Sequence, residues 1–133
     1  MIHAVLDTHA VLWYLSADPR LSATAKATID GALAARRGRV AISSISLVEI
    51  VYLMERRRID PESLAQILRS LDLRRTIVEL PVDRSIMPGL AAIDRAQVPD
   101  MPDRIIAATA AHLGVPLISR DAKIRASSVP TIW

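Results

Sequence analysis

Short apolar runs alternate with helical segments along the whole chain, and no other feature restricts the fold as strongly. IHAVL (2–6), VAIS (40–43), TIVELPV (76–82), VPLIS (115–119) and VPTIW (129–133) each suit a buried strand. Between them, helices are expected over 9–15, from a Ser22 cap to about Arg36, over 46–58, and from an Asp60 cap with Pro61 in the first turn. Asp83 opens a further helix, which Pro88 and Gly89 should kink, and the next helix runs from the Asp100 region to Gly114. Strands that alternate with helices predict a parallel sheet covered on both faces. The expected class is α/β, a three-layer sandwich with a small, mostly parallel sheet of about five strands.

Composition agrees. A chain of 133 residues has the size of one domain, so 1–133 is read as a single unit that buries roughly two-thirds of its unfolded surface. Phe is absent, which leaves Leu, Ile, Val and Ala to build the core, as in sheets buried on both faces. Cys is absent too, so any metal must be held by oxygen or imidazole. The apolar start has no basic segment before it and Asp7 interrupts it, and no apolar stretch is long enough to span a membrane. A soluble cytoplasmic protein is expected.

In open parallel sheets, ligand sites form beyond the carboxyl ends of the strands. Asp7 follows the first strand and Asp121 follows the fourth. Glu49 falls in the first turn of the helix after the second strand, and Asp103 in the first turn of the helix ending at Gly114. All four can converge on one edge. Each also has a purely structural explanation. Ser46 and Glu49 have the spacing of a capping box, Asp100 can cap the helix that places Asp103 at its third position, and Asp7 and Asp121 can close turns. The argument for chemistry is the set: two carboxylates about 4 Å apart repel by about 4 kcal/mol at an effective dielectric near 20. Either protons or a cation must relieve that repulsion, and an all-oxygen donor set favours Mg²⁺ or Mn²⁺.

Net charge is +3, and the excess is carried by arginine, clustered at Arg36, Arg37 and Arg39, at Arg56, Arg57 and Arg58, and at Arg74 and Arg75. Guanidinium forks match phosphate oxygens, which points to a nucleic acid, although solvated helix ends account for any single cluster equally well.

VLDTHAVLWYL, SSISLVEIVYL, PDRIIAATA and LISRDAKI, in this order, resemble the PIN-domain family, and most of all the VapC toxins of bacterial type II toxin–antitoxin pairs. The resemblance covers essentially the whole chain. It implies a PIN-like fold and a Mg²⁺- or Mn²⁺-dependent endoribonuclease site with Asp7, Glu49, Asp103 and Asp121 as catalytic, metal-holding acids. It also implies supporting roles for Thr8 and Ser119, and phosphate contacts or ion pairs for Arg104 and Arg120. An RNA substrate, a VapB-like antitoxin and a homodimer or larger toxin–antitoxin assembly follow as partners. The third motif departs from the family in the position of Pro102, which leaves Asp100 as a helix cap with at most a supporting role.

His9 is read as packed or solvent-bonded, and His3 and His112 receive no role. Trp13, Tyr14, Tyr52 and Met54 suit either core packing or a groove for an antitoxin helix. Two other readings compete with the nuclease. One is a PIN-like module that binds RNA or protein without cutting, which the intact acids disfavour. The other is a haloacid-dehalogenase-type phosphatase, which wants a second aspartate where His9 stands.

Overall fold

The computed structural model describes residues 1–73 and 75–133, so the Arg74 part of the basic cluster lies outside the described residues. The strands are β1 (Ile2–Leu6), β2 (Arg39–Ser43), β3 (Ile77–Leu80), β4 (Leu117–Ile118) and β5 (Thr131–Ile132). The helices are α1 (Thr8–Leu15), α2 (Ala23–Ala34), α3 (Ser44–Glu55), α4 (Pro61–Leu73), α5 (Met87–Ala92), α6 (Met101–Leu113) and α7 (Ala122–Arg125).

The sheet runs in the order β3-β2-β1-β4-β5, and every adjacent pair is parallel. Successive side chains of a strand point to opposite faces, and both faces are used here. Ala4, Leu6, Val40, Ile42 and Ile118 face one apolar layer with Val11, Ile29, Ile50 and Ile67 from α1 to α4. Val5, Ala41 and Leu117 face the other, against Ile106, Ala107 and Ala110 of α6 and Ile124 of α7. This is the expected α/β three-layer sandwich.

The chain passes from β1 through β2 to β3, then crosses back and lays β4 on the other side of β1. That reversal opens a crevice between the carboxyl ends of β1 and β4, where α/β sheets place their ligands. Asp7 and Asp121 flank it.

Several boundaries differ from expectation, these three among them. The helix after β2 begins at Ser44, because Ser43 caps it: the Ser43 hydroxyl accepts from Ile45 N at 3.3 Å. The segment after Asp83 is not one kinked helix. Asp83 caps a short 3₁₀ turn at Arg84–Ile86, and α5 then starts with Pro88 in its first turn, where a missing N–H is harmless. Of VPLIS only Leu117–Ile118 forms strand β4, between β1 and β5, and the Pro116 carbonyl just before it accepts from Val5 N at 3.0 Å. Among the described residues, no helix is long and apolar enough to cross a membrane.

Candidate active site

A cleft of about 330 Å³ lies at the carboxyl end of the sheet, lined by Asp7, Thr8, Glu49, Asp100, Asp103 and Asp121, with His9, Trp13, Arg120 and Trp133 completing the wall. The four acids singled out from the sequence are therefore brought together.

Capping and site-building use the same carboxylates. Asp7 caps α1, its Oδ1 accepting from Ala10 N at 2.8 Å. Asp121 caps the short α7 through Ile124 N at 2.9 Å, and Asp100 caps α6 through Asp103 N at 3.0 Å. Each bond occupies one oxygen and fixes the direction of the carboxylate. Buried Ser119 ties two of them together: its hydroxyl donates to the Asp7 carboxylate and accepts from Asp121 N at 3.1 Å.

Glu49 is the exception, and here the capping-box reading fails. Ser43 is the cap, so Glu49 is the sixth residue of α3, in its second turn rather than its first. Ser46 is fully buried and faces α1 instead, 3.0 Å from the Thr8 hydroxyl, which donates to Glu49 Oε1 at 2.6 Å. With one hydroxyl proton, Thr8 gives to the carboxylate and receives from Ser46. Glu49 is thus held across two helices.

The electrostatics match a crowded acidic site. Burial raises the Asp7 carboxyl above the usual range, although Ser119, the Ala10 amide and nearby His9 oppose it. Burial also raises Glu49, against the hydrogen bond from Thr8, with Asp100 and Asp7 adding to the rise. Asp103 is pushed up to about 7, first by burial and then by the charges of Asp100, Asp121, Glu49 and Asp7. Such a cluster takes up protons or a cation. Carboxylate oxygens backed by hydroxyls suit a hard divalent ion such as Mg²⁺ or Mn²⁺. Among the described residues, no three acidic or imidazole groups stand close enough to share one ion as the side chains lie, so the acids line a cleft rather than a closed coordination shell.

The two arginines part company. Arg120 lines the cleft, its guanidinium 4.5 Å from the Trp13 ring centroid. Among the described residues, Arg104 pairs with no acid and forms no part of the cleft wall. Its Nε and Nη2 donate to the Ile93 carbonyl at 3.1 and 2.9 Å, satisfying the backbone just past α5.

Sequence reasoning weighed His9 against the site and read it as packed or solvent-bonded, and it gave Trp133 no site role. His9 is exposed and lines the cleft, and it follows Asp7 by two residues, which was a usable signal. Trp133 arrives from β5, and nothing local in VPTIW indicates where that strand pairs. The four residues considered for a docking groove separate. Trp13 and Tyr14 line a larger depression of about 620 Å³ with α2 and α4, whereas Tyr52 is exposed and Met54 half-buried on α3.

Residues 4–128 match the PIN domain family. The chain belongs to that family. A further relative of this PIN domain is "Ribonuclease VapC22" of Mycobacterium tuberculosis (strain ATCC 25618 / H37Rv), 29% identical over 148 residues with both chains covered in full. Solved structures share the fold. VapBC2 from Rickettsia felis, bound to a DNA fragment from its promoter, matches with a TM-score of 0.72 at 15% identity, covering 98% of this chain and 97% of that one. A toxin–antitoxin complex from Klebsiella pneumoniae gives 0.66 at 22% identity, covering 98% and 96%. FitAcB from Neisseria gonorrhoeae gives 0.62 at 20% identity, covering 96% and 95%.

Proposed function

We propose that this PIN-domain protein is a Mg²⁺- or Mn²⁺-dependent endoribonuclease of the VapC toxin type, restrained by a cognate VapB-like antitoxin. The observation that carries the reading is the convergence of Asp7, Glu49, Asp103 and Asp121 on one cleft, with Asp103 pushed up to about 7 by burial and by its neighbours. An acidic cleft repels a phosphodiester, so it becomes a nuclease site only with a cation between acids and substrate. A relative of similar length carries the name ribonuclease, and structures of the same fold are toxin–antitoxin complexes.

Asp7, Glu49, Asp103 and Asp121 would hold the ion. They already line one cleft. When bound, the ion activates a water and neutralises charge on the phosphodiester. The protein's own groups do the positioning. Thr8 and Ser46 hold Glu49, and Ser119 and the α1 N-terminus orient Asp7 and offset part of the burial that raises its carboxyl. Arg120 stands at the cleft wall, where it can hold a phosphate beside the one being cut.

The test is cleavage of single-stranded RNA with Mn²⁺ by the natural protein and by Asp7→Asn. Cleavage by the natural protein alone is expected. Equal cleavage by both would remove this cleft from the reaction, and RNA binding without cleavage by either would favour the non-catalytic module.

A further inference from the structure

We propose that the cleft wall made by Trp133 and His9, both packed against Trp13, is a stacking subsite for one unstacked nucleobase of the RNA strand, next to the phosphate being cut. This rests on the nuclease reading and adds how the substrate is gripped.

The chain has only two tryptophans and two tyrosines, with no phenylalanine, and both tryptophans line the same cleft as the acids. They come from different parts of the fold, α1 and the segment after β5. Core packing explains Trp13, which is buried to 5% exposure and belongs to the main apolar layer. Trp133 packs against the same layer without being covered by it, and His9 is exposed. Trp133 is only partly buried: it meets Trp13 edge-on, with ring centroids 5.9 Å apart and planes at 63°, and it also faces the cleft. The exposed His9 ring also lies against Trp13, with centroids 5.4 Å apart and planes tilted by 47°. Arg120 lies over Trp13 and lines the same cleft.

Unstacked bases of single-stranded RNA are held by stacking on aromatic rings and guanidinium planes. That chemistry is needed here, because the five carboxylates lining the cleft offer a phosphodiester no attraction of their own. An aromatic wall lets binding come from the base while the acids are left to the ion. A volume of about 330 Å³ falls within the usual range of ligand pockets. Stacking is tolerant of base identity, so the subsite favours single-stranded substrates over any particular sequence.

The test uses Asp7→Asn protein, which keeps RNA intact, and short single-stranded oligoribonucleotides made abasic at one position at a time. Both tryptophans lie in the cleft, so their emission reports directly. RNA should quench it, and one abasic position should weaken binding by about ten-fold. With Trp133→Ala added, the intact strand should weaken by about the same factor, and that abasic position should then cost nothing further. Trp133→Phe should restore most of the binding. Equal weakening of intact and abasic strands by Trp133→Ala, or no effect of Trp133→Ala at all, would overturn the subsite. RNA cleavage by the natural protein without dependence on Trp133 would sink the subsite and leave the nuclease standing. Base-dependent quenching with no cleavage would do the reverse, and no RNA binding would defeat both.

Discussion

Thr8 on α1 donates its hydroxyl to Glu49 Oε1 on α3 at 2.6 Å, and buried Ser46 stands behind it at 3.0 Å. This bond favours the ionised form of a carboxylate that burial otherwise drives towards protonation. Thr8→Val removes the donor and strands the Ser46 hydroxyl in the interior. Cleavage is expected to fall by about ten-fold, in the range found for groups that support metal ligands. Stability should drop by about 1–3 kcal/mol. Thr8→Ser should restore both. Steady-state cleavage and thermal melts of the two variants check this, and an unchanged Thr8→Val would show that Glu49 holds its place alone.

The acidic cluster should make metal-free protein less stable as pH rises. Asp7, Glu49 and Asp103 all titrate higher in the folded chain than in an unfolded one, Asp103 at about 7. Between about pH 4 and 7 the folded state therefore binds more protons than the unfolded state, and stability falls across that window. The melting temperature of metal-free protein is expected to decline from pH 4 to 7 and level off above. Mn²⁺ competes with those protons, so its stabilising effect should be greater at pH 7.5 than at pH 5.5. A melting temperature that stays flat with pH would contradict the raised values.

Asp103→Asn should separate stability from function. It removes the group at the centre of the repulsion, so metal-free protein should melt higher than natural protein at pH 7.5, while Mn²⁺-dependent cleavage is lost. A variant that is both inactive and less stable would indicate a structural role for the charge.

Asp100 should behave differently from Asp103. Its Oδ1 caps α6, a task asparagine performs as well, so Asp100→Asn should keep its stability, whereas Asp100→Ala should lose about 1 kcal/mol. The Asp100 charge also raises Asp103, so neutralising it should move the acidic limb of the cleavage profile to lower pH. Profiles of Asp100→Asn and natural protein decide the point. An upward move would be the wrong sign.

Two glycines are required for unrelated reasons. Gly114 ends α6 at φ +66 with open space around its Cα, so Gly114→Ala should cost about 1 kcal/mol of backbone strain and leave cleavage intact. Gly38, before β2, has no such torsion, but a Cβ there would lie 1.9 Å from the Ala32 carbonyl oxygen. Backbone cannot yield as a side chain can, so Gly38→Ala should be the more damaging of the two in denaturant titrations.

The sequence by itself determined the order of elements and the places of the capping acids. Apolar runs bounded by caps are local signals: an Asp at the end of a strand, or Asp100 three residues ahead of Asp103, acts on backbone groups within one turn. Asp7, Asp103 and Asp121 were legible for that reason. Tertiary structure alone decided what those signals are used for. Ser46 looks like a cap and instead faces Thr8, because Ser43 starts the helix earlier and the packing of α1 on α3 turns Ser46 inward. Arg104 adjoins an acid in sequence yet is bound to the Ile93 carbonyl, because α5 ends beside α6. Trp133 joins the acids only because β5 adds to β4 at the far side of the switch in strand order. In each case the partner is distant in the chain, and a local pattern carries no information about which distant surface will pack against it.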